Sequence, residues 1–129
     1  MATAIDPRAD SGFSNAASYD TYRPSYPAEA ISALLTRLNI ASKAGARIVE
    51  VGAGTGKFTE ALAARQESFE IIAVEPQNNM RKELVAKTLK GVKVIEGTAA
   101  NMNIDEGWAD AVVIAQVGIL TLHFVQTRK

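Results

Sequence analysis

The sequence predicts an open α/β fold in which a parallel β-sheet is covered by helices on both faces. Two observations carry this. Short, continuously apolar runs rich in Val and Ile ("RIVEV", "EIIAVE", "VKVIEG", "ADAVVIAQ") recur along the 129 residues, and segments with helical spacing stand between them. A strand apolar at successive positions suits burial on both faces, and helices supply the crossovers that parallel strands need.

The elements follow in order. Residues 1–18 are rich in Ala, Ser, Asp and Gly and have no periodicity, so a mobile tail is expected. "YDTYRPSYP" carries Pro24 and Pro27 among Tyr19, Tyr22 and Tyr26, which suits an extended tether. From Ala28, the recurrence of Ile31, Leu34, Leu35 and Leu38 predicts a helix, and Gly45 punctuates the connection after it. "RIVEV" then reads as the first strand, "GKFTEALAAR" as a helix and "EIIAVE" as the second strand. "NNMRKELVAKTL" is a helix with Met80, Leu84, Val85 and Leu89 as its apolar positions; "VKVIEG" and "ADAVVIAQ" are strands three and four. The length suits one domain with a real core and is too short for two.

Composition narrows the classes. Apolar residues make up 47%, as in a globular protein. Fourteen basic residues balance fourteen acidic ones, so neither nucleic acid nor an anionic membrane is an expected partner. The absence of cysteine removes disulfides, thiolate metal sites and a cysteine nucleophile, and no metal site is expected. Apolar stretches break well before the roughly 18 residues of a membrane span. The N-terminus has no basic region leading into an apolar one, so a soluble, cytoplasmic protein is expected.

The loop after the first strand, "VEVGAGTGKFT", carries the chemistry. A phosphate-binding P-loop needs Gly-Lys followed by Ser or Thr, whose hydroxyl reaches the magnesium ion. Here Phe58 follows Gly56-Lys57, so Lys57 reads as a solvated helix residue. A dinucleotide loop needs Gly-x-Gly-x-x-Gly, whereas Gly52, Gly54 and Gly56 are spaced one residue short. A nicotinamide dinucleotide therefore stands as the weaker reading. Glycines let a ligand approach the backbone, and the carboxylate of Glu50 just ahead of them suits a cation, such as the ammonium of an aminoacyl group. Glu75, at the end of the second strand, stands where an open α/β sheet places a carboxylate to accept from both hydroxyls of an unphosphorylated ribose.

With these motifs in place, the chain resembles the class I S-adenosylmethionine-dependent methyltransferases, in particular the small-molecule enzymes allied to trans-aconitate methyltransferase. "VEVGAGTGKFT", "IIAVEPQNNMR", "VIEGTAANM" and "WADAVVIAQ" match its first four motifs in order, and the "YDTYRPSYP" lead-in is similar too, so the resemblance covers Tyr19 to Gln116. It implies a Rossmann-like sheet of order 3-2-1-4, a partial S-adenosylmethionine-binding domain over residues 19–116, and a small-molecule acceptor. By the same resemblance, Glu50, Gly52, Ala53, Gly54 and Gly56 would hold the methionine amino end of S-adenosyl-L-methionine, and Glu75 the ribose diol. Pro76 and Met80 would line the adenine side, Thr98 and Ala99 would meet the adenine edge, and Gln116 would lie beside the cofactor. Tyr19 and Arg23 would approach the methionine moiety, the guanidinium suiting its carboxylate; equally, they would pack the tether against the domain. The family often has an acidic residue after the third strand for the adenine amino group. Here Thr98 and Ala100 hold those positions, which passes that contact to the backbone or to Asn101.

Other residues take plainer readings. Trp108 is expected to pack at a loop rather than to form a substrate platform. His123, the only histidine, is expected on a strand face or buried rather than as a base. No catalytic residue is assigned, because a sulfonium already activates its methyl group and transfer asks mainly for alignment.

After Gln116 the family pattern stops, and "VGILTLHFVQTRK", residues 117–129, forms a divergent tail. The expectation is a truncated chain with strand 4 exposed as an edge. "ILTLHFV" would either pair there as an improvised strand or leave the edge open to self-association or a partner chain. Three functions stand at this point: a methyltransferase, a non-catalytic S-adenosylmethionine- or S-adenosylhomocysteine-binding fragment, and a nicotinamide-binding half-domain.

Overall fold

The computed structural model describes residues 26–116 and 119–125, with Ala115–Gln116 and residues 119–125 described by their backbone alone. The expected mobile tail, Tyr19 and Arg23 lie outside these residues.

Helix α1 spans Ala28–Arg37, entered from Pro27 in an extended conformation, and buries Ile31, Leu34 and Leu35. Strand β1 (Arg47–Val51) leads through the glycine loop into α2 (Lys57–Ala63). Strand β2 (Glu70–Val74) leads into α3 (Asn78–Ala86), and β3 (Val92–Ile95), β4 (Ala111–Gln116) and β5 (Ile119–Val125) complete the sheet. Helix α3 stops short of the predicted Leu89. Lys87 closes it, and Thr88 turns to φ +49°, a left-handed conformation that helices do not continue through.

The sheet order is β3-β2-β1-β4-β5. Strands β1, β2, β3 and β4 are parallel, with Glu50 in register with Ala73 on one side and Val113 on the other. The order 3-2-1-4 is thus as the sequence predicts. Strand 4 is not an edge, however. Residues 119–125 pair antiparallel to β4, with Val112 opposite Val125 and Ile114 opposite His123, and the register shifts between Ile114 and Gln116. The edges of the described sheet are therefore β3 and β5. A β-branched, uncharged run only a few residues beyond β4 is close enough to fold back, and pairing satisfies backbone groups that an edge leaves open.

The placement of helices also differs from expectation. Side chains alternate across a strand, and Ile48, Ile71, Ala111 and Val113 form one core cluster with α1 and α2 through Ile31, Leu35, Phe58 and Leu62. Ala73, Val92 and Val94 share that face and pack with Leu84 of α3. All three described helices therefore cover one face. The opposite face, Val49, Val51, Ile72, Val74, Val112 and Ile114, packs with Met102, Ile104 and Trp108 of the connection between β3 and β4. Its strand residues read as buried on both sides because apolarity records the face a residue presents and not what covers it. Trp108 packs in this loop as predicted, with the Arg47 guanidinium 5.6 Å from its ring centroid.

A polar clamp joins the connection between α2 and β2 to α1 and to the connection that follows α1. The Arg65 guanidinium donates to both Glu67 oxygens at 3.0 and 2.8 Å and to Ser32 Oγ of α1 at 2.8 Å, while Ser42 N donates to Glu67 Oε2 at 2.8 Å. Among the described residues, no helix is long and apolar enough to cross a membrane.

Candidate functional site

The carboxyl ends of the parallel strands gather the connections that follow β1, β2 and β3, the position at which open α/β sheets take ligands. The glycine loop is tied down there by backbone bonds: Gly52 N and Ala53 N both donate to Val74 O, at 2.8 and 3.1 Å. Gly54 N donates to Glu75 Oε1 at 2.8 Å, and Gln77 N donates to Glu75 Oε2 at 2.9 Å. Glu75 is buried and belongs to the loop as much as to the strand before it.

The glycines divide the work. Gly56 begins α2 at φ +92°, and a Cβ there would collide with Leu84 Cδ1, so it permits α3 to pack against the loop. Gly54, at φ +61°, would send a Cβ into open space. That opening is where a ligand can approach the backbone.

Glu50 lies beneath the loop with no accessible surface. Thr59 Oγ1, from the first turns of α2, donates to Glu50 Oε1 at 2.5 Å, whereas Oε2 is buried with no hydrogen-bond partner among the described residues. Burial pushes the Glu50 carboxyl up to about 8; the Thr59 hydroxyl works against this, and the nearby Glu75 charge adds to it.

The other expected site residues fall into two groups. Pro76 is exposed beside Glu75, and Thr98 and Ala99 are exposed on a tight turn in which Thr98 and Asn101 exchange backbone bonds of 3.2 and 3.1 Å. This turn adjoins the end of β2, since Glu75 N donates to Ile95 O at 3.0 Å. Gln116 closes β4, paired opposite Ile119. Met80 is fully buried on α3. Its helical position faces the core, and a Met there fills space.

Sequence reasoning missed two residues. Thr59 ends the quoted loop motif, but only the turn of α2 aims it back at Glu50. Arg81 Nη1 donates to the carbonyls of Glu75 and Pro76 at 2.9 and 2.8 Å, and so sets the backbone that presents the Glu75 carboxylate. Arg81 lies within the quoted "EPQNNMR", and its spacing from Glu75 was the available signal.

A second recess, about 330 Å³, lies at the opposite end of the strands and is lined in part by Lys43, Arg47, Glu70 and Asp110. Its charges offset one another: Lys43 Nζ lies 3.6 Å from Asp110 Oδ1 and Arg47 Nε lies 3.9 Å from Glu70 Oε2.

A sequence profile of the methyltransferase domain family matches residues 48–128. The chain belongs to this family. An uncharacterized methyltransferase of Mycobacterium tuberculosis and its counterpart in Mycobacterium bovis are each 39% identical to it over 98 residues, 76% of this chain. The chain spans 37% of the length of these relatives. Among solved structures, a candidate S-adenosyl-L-methionine-dependent methyltransferase of Methanococcus maripaludis aligns with a TM-score of 0.67 at 22% identity, over 91% of this chain and 54% of that one. An S-adenosylmethionine-dependent methyltransferase of Aquifex aeolicus aligns with a TM-score of 0.53 at 21% identity, over 63% of this chain and 45% of that one. At these identities the structures show a shared Rossmann-like methyltransferase fold.

The site of this methyltransferase domain suits an aminoacyl nucleoside. Glu50 Oε2 is a buried acceptor lacking a donor, Gly54 opens onto free space, and Glu75 stands beside both.

Proposed function

We propose that this domain binds S-adenosyl-L-methionine and belongs to an enzyme that methylates a small molecule. The observation that carries the reading is the pairing of a tethered acidic residue, Glu75, with a glycine loop above a second acid, Glu50, whose Oε2 has no partner among the described residues. Glu75 would accept from the ribose hydroxyls with the lone pairs that Gly54 N and Gln77 N leave free, since each carboxylate oxygen accepts more than one hydrogen bond. Glu50 would receive the amino end and Pro76 would flank the adenine, with Thr98 and Ala99 at its edge. Gln116, Tyr19 and Arg23 complete the proposed set.

When bound, S-adenosylmethionine supplies a methyl group already activated on a sulfonium. The chain's own residues then have to hold and orient, and the acceptor has to be aligned in line with the methyl group. Calorimetry against S-adenosylhomocysteine and against NAD tests the binding step, and saturable binding of NAD alone would replace this reading with the nicotinamide one. Labelled methyl transfer into a mixture of small carboxylates, amines and alcohols tests turnover.

A second reading draws on the share of its relatives that this chain spans, 37%. In that reading the chain binds the cofactor without turnover, and S-adenosylhomocysteine binding with no transfer to any acceptor is its signature.

A further inference from the structure

We infer that Thr59 is a positioning residue of the amino-end subsite: its hydroxyl fixes Glu50 Oε1, which leaves Oε2 as a single buried acceptor for one primary ammonium group entering through the glycine loop. This rests on the proposed binding of an aminoacyl nucleoside and says how its amino end is selected.

The argument is one of hydrogen-bond accounting. A buried carboxyl has two oxygens to satisfy, and native structures seldom leave one unpaired without a reason. Thr59 satisfies Oε1 with a hydroxyl hydrogen bond of 2.5 Å. Oε2 is buried and has no hydrogen-bond partner among the described residues. The neighbours in register across the sheet, Ala73 and Val113, have no donor to offer. Glu75 is the other charged group acting on Glu50 among the described residues, and it repels. A cation brought by a ligand would answer both the missing donor and the repulsion.

Thr59 is as important as the acid it holds. Without the hydroxyl, the carboxyl would be free to turn, and Oε1 would become a second unpaired atom in the same space. Serine has the same donor, and valine has the same shape without it.

The resting group is the neutral acid, since burial pushes Glu50 up to about 8. Holding an ammonium as a carboxylate therefore releases a proton near neutral pH. Release fades as pH passes about 8, where Glu50 of the free chain has already lost its proton.

The experiment is calorimetry on the whole chain in two buffers of different ionisation enthalpy, with two probes: S-adenosylhomocysteine, and methylthioadenosine, which lacks the amino acid end. Thr59→Val is expected to weaken S-adenosylhomocysteine binding about tenfold or more, with methylthioadenosine unchanged and Thr59→Ser restoring the wild-type value. The wild type is expected to release close to one proton with the first probe at pH 7 and none with the second. In Thr59→Val, release should persist to higher pH, because the hydroxyl that lowers the acid's pKa has gone. Equal binding by wild type and Thr59→Val, or equal loss for both probes, overturns the inference while leaving the cofactor reading intact. A wild type that binds neither probe overturns the cofactor reading and the inference with it.

Discussion

Glu75 Oε1 accepts the Gly54 N–H at 2.8 Å, so the residue just beyond β2 holds the loop that follows β1. A carboxylate placed for a ribose is at the same time a structural latch. Glu75→Gln keeps an acceptor for Gly54 N but presents a donor to one of the sites where Gln77 N and the ribose hydroxyls must both be met. S-adenosylhomocysteine binding is expected to fall about tenfold or more by calorimetry, with little change in thermal stability. Glu75→Ala is expected to lose both.

Glu50 trades stability for binding. In the folded chain its carboxyl is pushed from 4.5 to about 8, so across that window the native state holds a proton that the unfolded state has released. Stability due to this group is full below about 4.5 and falls as pH rises toward 8. The ligand-free Glu50→Gln variant should therefore gain on the wild type with rising pH in denaturant titrations and lose S-adenosylhomocysteine binding. A constant difference between the two from pH 5 to 8 would show that Glu50 does not titrate in this range.

Gly56 and Gly54 should part company on substitution. Gly56→Ala combines a φ of +92° with a collision at Leu84 Cδ1, and is expected to cost about 2–3 kcal/mol in urea unfolding. Gly54→Ala, at φ +61° in open space, should cost about 1 kcal/mol and act mainly on ligand affinity. The opposite ranking in stability would contradict this division of labour.

The Arg65–Glu67 clamp predicts acid sensitivity. Bonds from Arg65 hold the Glu67 carboxyl down at about 2, helped by Ser42 N, so the unfolded state binds more protons between that value and 4.5. Its stabilisation is complete above about 4.5 and lost as pH falls through 2. Glu67→Gln should cost about 1–3 kcal/mol at pH 7, and the gap to wild type should close as the pH is lowered through that window.

Of the two edge strands of the described sheet, β3 carries Lys93, whereas residues 119–125 at the β5 edge contain no Asp, Glu, Lys, Arg or Pro. We propose that a second copy pairs along it, as unprotected edges do. Sedimentation velocity should show concentration-dependent association, reduced by Thr121→Lys. A wild type that sediments as a monomer at all concentrations would remove the proposal.

How much was legible in the sequence depended on the range of the interaction. The strands at Arg47–Val51 and Glu70–Val74 were readable because β-branched runs and flanking glycines are local signals. That Glu50, Gly54 and Glu75 gather at one end of the sheet was readable for a similar reason, since each stands at or just beyond the end of a parallel strand. The burial of Met80 was not, because its place on α3 decides that it faces the core, which the motif alone does not say.

What the sequence determined by itself was the α/β class and the glycine loop with its two acids, while the parallel order 3-2-1-4 followed from the family resemblance. Only the tertiary structure decided that all three described helices cover one face, that β5 closes the edge of β4, and that Thr59 and Arg81 hold the two acids in place. Local patterning encodes which residues seek burial or a turn. It does not encode which distant atom satisfies a given hydrogen bond, because that choice is made when strands and helices pack and every buried polar group must find its partner.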